Sequence, residues 1–191
     1  DTRMMRCYNA NFGWAYDAPG AKITAEVLDA AKKDYRMHNP MKGCVLGADI
    51  GHVINVVIGQ IFPWGNGYGT RVVWAGIVAE EQDVMNLYRE YRCIAGIVDA
   101  MPEERMTRRM VRQKRGLFRA YYDRGHVDRV DKDHKIVNLS RTPAMDGVKE
   151  ALVTGQIELP QDIDNVGEFY DQMMASTRIY DEDRQEFVWV E

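Results

Sequence analysis

Between positions 43 and 99 the apolar and polar residues are arranged as strands with one helix among them. Gly43-Cys44-Val45-Leu46-Gly47-Ala48-Asp49 reads as a buried strand that ends on an acid. A glycine turn at Gly51 leads into a second apolar strand, Val53 to Phe62. Pro63-Trp64-Gly65-Asn66-Gly67-Tyr68-Gly69 is a glycine-rich turn, and Thr70 to Val78 is a third strand, completing an antiparallel meander. Glu80-Glu81-Gln82-Asp83 puts acids in the first turn of a helix, where the helix dipole favours them. That helix, Val84 to Tyr91, delivers the chain into a fourth strand, Cys93-Ile94-Ala95-Gly96-Ile97-Val98-Asp99, which also ends on an acid. A strand-helix-strand crossover of this length favours a parallel neighbour, so the fourth strand is expected beside the first. Both acids then emerge at one carboxyl edge, where open α/β sheets bind ligands.

Residues 1–42 read as a lead-in packing on a core formed by 43–191. Asp17-Ala18-Pro19-Gly20 marks a turn, and Thr24 opens a helix to about Tyr35 that His38-Asn39-Pro40 breaks. After Asp99 come a basic helix, Glu103 to Lys114, a short strand, Leu117 to Tyr122, and a charged, turn-like stretch, Asp123 to His134. Lys135 to Leu139 is the fifth strand, and Thr142-Pro143 opens a helix through Val153 that Gly155 stops. Ile157 to Pro160 is an edge segment, Val166 to Ala175 a helix, and Glu186 to Val190 a last strand after a turn at Asp181-Glu182-Asp183-Arg184. The implied class is α/β: a central mixed sheet of five strands, three antiparallel and then parallel, flanked by helices.

Composition narrows the class without naming a chemistry. The 191 residues suit one domain, and 46% hydrophobic with 28% charged is ordinary for a globular chain. A net charge of −4 gives no global pull towards nucleic acid and leaves room for a local basic surface. No apolar run approaches the roughly 18 residues of a membrane span. Cys7, Cys44 and Cys93 are odd in number and widely spaced. Cys44 and Cys93 read as small buried hydrophobes, which suits a reducing, intracellular setting. The chain begins on Asp1 without a signal-peptide pattern, as a domain excised from a longer chain does.

Asp49 and Asp99 carry the chemical signal. Two carboxylates a few ångströms apart repel unless one is protonated or a cation lies between them. Oxygen ligands favour Mg²⁺ or Mn²⁺, which suit in-line attack on a phosphodiester. The plainer alternative is that each Asp caps the loop after its strand. Arg105, Arg108, Arg109 and Arg112 on the following helix are candidates for holding a phosphate backbone, or else form a solvated face. The 65–69 glycine run lacks the Lys-Ser/Thr ending of a phosphate loop, and His52, His126 and His134 have no metal-ligand spacing with the cysteines.

An Asp-x-Gly after the first strand, two antiparallel strands, a helix, a fourth strand ending in Asp, then a fifth strand and helices resembles the ribonuclease H-like fold. Within it the chain is similar to the nuclease domain of the large terminase subunit of tailed bacteriophages. The carrying segments are Val45 to His52, Ala95 to Asp99, Val137-Asn138-Leu139-Ser140-Arg141-Thr142 and, in the lead-in, Tyr8 to Trp14. The resemblance implies an endonuclease that cuts concatemeric double-stranded viral DNA with two Mg²⁺ or Mn²⁺ ions. Asp49 would bridge the ions and Asp99 would ligate one. The third acid is either Asp146, on the helix after the fifth strand, or a residue beyond Glu191. The resemblance further implies an upstream ATPase motor domain, a small terminase subunit and a portal as partners, in the host cytoplasm. The alternatives are a non-catalytic ribonuclease H-like module that binds nucleic acid or docks to the portal and, less well matched, an actin-like kinase: Thr or Ser does not follow the Asp-x-Gly, and 191 residues cannot hold the duplicated domain.

Overall fold

The structure is a computed structural model and describes residues 21–123, 128–181, 183 and 185–190. The lead-in segment Tyr8 to Trp14, the Asp17–Gly20 turn, Cys7 and His126 lie outside the described residues.

The meander forms as its pattern predicts, from β2 (Cys44–Ile50), β3 (Ile54–Trp64) and β4 (Gly67–Val78). The hairpin is tighter than the glycine-rich run suggests. The ladder closes as far as Trp64 opposite Gly67, leaving Gly65 and Asn66 as the turn, with Gly65 at a φ of 53°. Helix α1 (Ala25–Ala31) stops four residues short of Tyr35. The next two residues form β1 (Lys32–Lys33), which pairs in parallel with Leu159 and Pro160 of β9 (Ile157–Pro160). A tertiary strand partner overrides local helix preference here.

Helix α2 (Glu81–Glu90) starts with the Asp83 carboxylate accepting the Glu80 N–H at 3.1 Å. It returns the chain to β5 (Cys93–Asp99), which lies parallel to β2 as the crossover requires. Then come α3 (Glu104–Gln113), β6 (Leu117–Asp123), β7 (Arg129–Asp131) and β8 (Ile136–Ser140). Gly116 lets β6 enter alongside β5: a Cβ there would stand 2.3 Å from the Ile94 carbonyl oxygen. Helix α4 (Arg141–Val153), β9, a 3₁₀ turn, α5 (Phe169–Ala175) and the hairpin β10 (Thr177–Asp181)–β11 (Glu186–Val190) complete the described chain.

The predicted five strands, with β6 inserted between the fourth and the fifth, are the centre of a wider sheet. Nine strands run in the order β1-β9-β4-β3-β2-β5-β6-β8-β7, and β10–β11 is a separate pair. Strands β2, β5, β6 and β8 are mutually parallel, so their carboxyl ends share one rim.

Alternation along the strands divides the sheet into two faces. On the first, Cys44, Leu46, Ala48, Ile50, Val98 and Leu117 pack under Val84, Met85 and Tyr88 of α2 and Met110 and Val111 of α3. On the second, Val72, Ala75 and Leu159 pack under Leu28 of α1, Leu152 of α4, and Trp189 of β11. This is a helix–sheet–helix sandwich of mixed α/β type. No helix among the described residues is long and apolar enough to cross a membrane.

Candidate metal centre

Asp49 lies between two residues of the first-face core, Ala48 and Ile50, and Asp99 follows a third, Val98. By alternation both carboxylates project from the second face. Ala48 and Val98 are register partners, so Asp49 and Asp99 are the next step on neighbouring parallel strands, whose axes lie about 4.8 Å apart. Asp49 is exposed and Asp99 half-buried. Asp99 Oδ1 accepts the Met101 N–H at 3.1 Å, and the Ala100 N–H reaches the Ala120 carbonyl at 2.9 Å, which fixes the exit of β5 against β6. The two acids expected to meet are therefore side by side at the rim. Among the described residues no third His, Cys, Asp or Glu joins them in a metal-sized group.

The rim continues on β6 and β8. Ala120 is the register partner of Asp99, and Tyr122, two residues on and on the same face, is opposite Leu139, two residues before Arg141. Tyr122 keeps 53% of its surface exposed. Desolvation of its phenol, then the negative charges of Asp99 and Asp49, raise its pKa, and the Arg141 guanidinium lowers it part of the way back. Three adjacent parallel strands thus supply, in order, two carboxylates and a phenol, and the first residue of α4, directly after the fourth strand β8, supplies a guanidinium. Tyr122 and Arg141 were absent from the sequence-derived set; Arg141 stood in a segment noted there for its resemblance alone.

Beneath the rim, on the first face, Glu104 at the start of α3 is bound to β6. Its Oε1 receives Arg108 Nη2 at 2.7 Å, the Tyr121 hydroxyl at 3.0 Å and Arg119 Nη1 at 3.2 Å. Arg119 is 5% exposed, and its Nε is buried with no hydrogen-bond partner. The hydrogen bonds from Arg108 and then Tyr121 lower the Glu104 pKa. The four residues tie the start of α3, and with it the loop after Asp99, to the sheet. A basic residue inside Leu117-Phe118-Arg119-Ala120 was the sequence signal for such a buried pair.

The remaining sequence candidates are elsewhere. Asp146, on α4, is held by the β10–β11 hairpin: Arg178 Nη2 donates to Oδ2 at 3.0 Å and Trp189 Nε1 to Oδ1 at 2.8 Å. Arg178 Nε is 2.9 Å from Oδ1 but off the line of a hydrogen bond. Arg105, Arg108, Arg109 and Arg112 are exposed on α3, which covers the first face, whereas the acids project from the second. Arg108 pairs with Glu104 and Arg109 with Glu81, each at 2.7 Å. His52 is an exposed residue in the bend after β2.

No protein-family model matches the chain. No curated protein matches it. Among solved structures it is similar to the large terminase from a thermophilic bacteriophage, in one crystal form with a TM-score of 0.51 and 14% identity over 86% of this chain and 41% of that one. Another crystal form of the same protein gives 0.48 and 16% over 89% and 41%. The chain thus spans less than half the length of that terminase, and the likeness at 14% identity is one of fold. The fold is mixed α/β, consistent with the ribonuclease H-like expectation and shared with part of a bacteriophage large terminase.

Proposed function

We propose that this chain is a divalent-metal-dependent DNA endonuclease domain of a viral packaging terminase. The observation that carries the reading is the pairing of Asp49 and Asp99, one register step beyond Ala48–Val98, at the carboxyl rim of adjacent parallel strands. Two carboxylates at that spacing attract a small hard cation, and oxygen donors select Mg²⁺ or Mn²⁺ over softer metals. When bound, such ions supply an activated water and Lewis acidity at the scissile phosphate. Asp49 and Asp99 hold the ions, and the Glu104–Arg119 anchor keeps the loop after Asp99 from moving. Asp146 is left out of the ligand set, because Arg178 and Trp189 already satisfy its carboxylate. The arginines of α3 are left out of the site, since they belong to the opposite layer. The likeness in fold to a bacteriophage large terminase supports double-stranded DNA as substrate. An upstream ATPase motor, a small terminase subunit and a portal, in the host cytoplasm, belong to the same reading as its proposed partners and place.

The test is nicking of supercoiled plasmid by the 191-residue chain in Mn²⁺, paired with a Mn²⁺-binding titration. Wild type binds Mn²⁺ and cuts, EDTA stops cutting, and Asp49→Ala and Asp99→Ala lose both properties. Full cutting by both variants, or by wild type in EDTA, overturns the reading, as does a wild type that neither binds Mn²⁺ nor cuts. A module that binds nucleic acid without cutting is the second reading, favoured by the lack of a third acid beside the pair among the described residues. It expects DNA binding indifferent to Mg²⁺ and to Asp49→Asn.

A further inference from the structure

We propose that Tyr122 and Arg141 form the phosphate-holding half of the rim, so that the strand to be cut crosses the ends of β2, β5, β6 and β8 from the carboxylates towards the guanidinium. This inference rests on the metal-dependent nuclease reading and adds to it the residues that grip the substrate.

Asp99 is opposite Ala120, Tyr122 follows two residues later on the same face, and Tyr122 is opposite Leu139. Arg141 comes two residues after Leu139, where β8 passes into α4. Neighbouring strands are about 4.8 Å apart and residues rise about 3.3 Å along a strand, so the row from Asp49 to Arg141 runs diagonally, three steps across and four residues along, roughly 19 Å. The charges of Asp49, Asp99 and Arg141 all act on the Tyr122 phenol, so the four groups occupy one electrostatic neighbourhood.

The division of chemistry along the row is also informative. The β2–β5 end is negative and repels a phosphodiester unless cations bind there. The β6–β8 end carries a hydroxyl donor and a guanidinium, the two groups that hold a phosphate without metal. Tyr122 is a large aromatic with 53% of its surface open on this face, and Arg141 is exposed. A phenol can donate to a phosphate oxygen or lie against a base, while Arg141 contributes charge. Discrimination therefore follows from chemistry: loss of Arg141 removes one phosphate contact from the salt dependence of binding, and loss of the Tyr122 hydroxyl does not.

The experiment uses the 191-residue chain, a short fluorescent DNA duplex, and Ca²⁺ in place of Mn²⁺ to permit binding without turnover. Anisotropy titrations are run at several salt concentrations, with Mn²⁺ binding measured separately. Tyr122→Phe keeps the ring, weakens duplex binding roughly ten-fold and leaves the salt slope unchanged. Arg141→Gln weakens binding by a similar factor and lowers the slope by about one unit. Both variants bind Mn²⁺ as wild type does. Wild-type affinity and slope in Arg141→Gln, or wild-type affinity in Tyr122→Phe, overturns the inference, and so does a loss of Mn²⁺ binding in either. Failure of the underlying reading looks different: wild type and Asp99→Asn are then equally indifferent to Mn²⁺, whatever the two rim variants do to duplex binding.

Discussion

Asp99 and Asp146 are the same residue type at comparable places in the chain, one at the end of a strand and one in the second turn of the helix after a strand. Asp99 has Asp49 on the next strand and a single backbone N–H on Oδ1. Asp146 has the Arg178 guanidinium and the Trp189 indole, one on each oxygen. The first is an acid set one register step beyond a residue pair on neighbouring strands, beside another acid. The second is already matched and links α4 to the hairpin. What a carboxylate does is decided by what surrounds it, and the strand register supplies those surroundings.

The comparison is broken most directly by exchanging each acid for its amide. Asp99→Asn lowers Mn²⁺-dependent nicking by roughly 10³-fold. It leaves the melting temperature equal to wild type, since an amide oxygen still accepts the Met101 N–H. A melting temperature several degrees lower would show that Asp99 is structural.

A smaller effect comes from the anchor under the rim. Arg119→Ala removes a buried side chain that reaches both Glu104 and Tyr121, at an expected cost of about 2 kcal/mol in urea unfolding. An unchanged denaturation midpoint would mean that the start of α3 is held by other contacts.

Asp146→Asn is expected to cost about 1 kcal/mol, discounted because the Arg178–Asp146 pair is partly solvated, and to leave nicking unchanged. Loss of cleavage there would return Asp146 to the ligand set.

The smallest effect is on alkaline stability. Cys44 and Cys93 are register partners at the amino ends of β2 and β5, the edge of the sheet opposite the rim. Burial pushes both thiols up, Cys93 from 9.0 to about 12. The unfolded thiol ionises near 9 and the folded one near 12, so this stability is complete below pH 9 and is lost as the pH rises towards 12. Cys93→Ala flattens that decline in pH-dependent melts, and Asp146→Asn leaves its slope as it was.

Much of the fold was legible because the decisive signals are local. Period-two runs gave β2, β3, β4 and β5, and the length of the α2 crossover gave the parallel pairing that brings Asp49 and Asp99 together. The outer strands were less visible: Lys32–Lys33 is two residues long and becomes a strand only because β9 is there to receive it. The arginines of α3 looked adjacent to the site because Asp99 precedes them in sequence. Alternation at Asp99 and the apolar stripe of α3 send acids and arginines to opposite layers.

By itself the sequence determined which segments are strands, that two of them end on acids, and that those two lie side by side, since each follows from periodicity and connection length. Tertiary contacts alone bring Tyr122 and Arg141 to the rim, hold Asp146 between Arg178 and Trp189, and send the α3 arginines to the far layer. Those outcomes depend on register between strands distant in the chain and on which side chains meet there. No local pattern encodes a partner that arrives 32 or 43 residues later, as Arg178 and Trp189 do for Asp146.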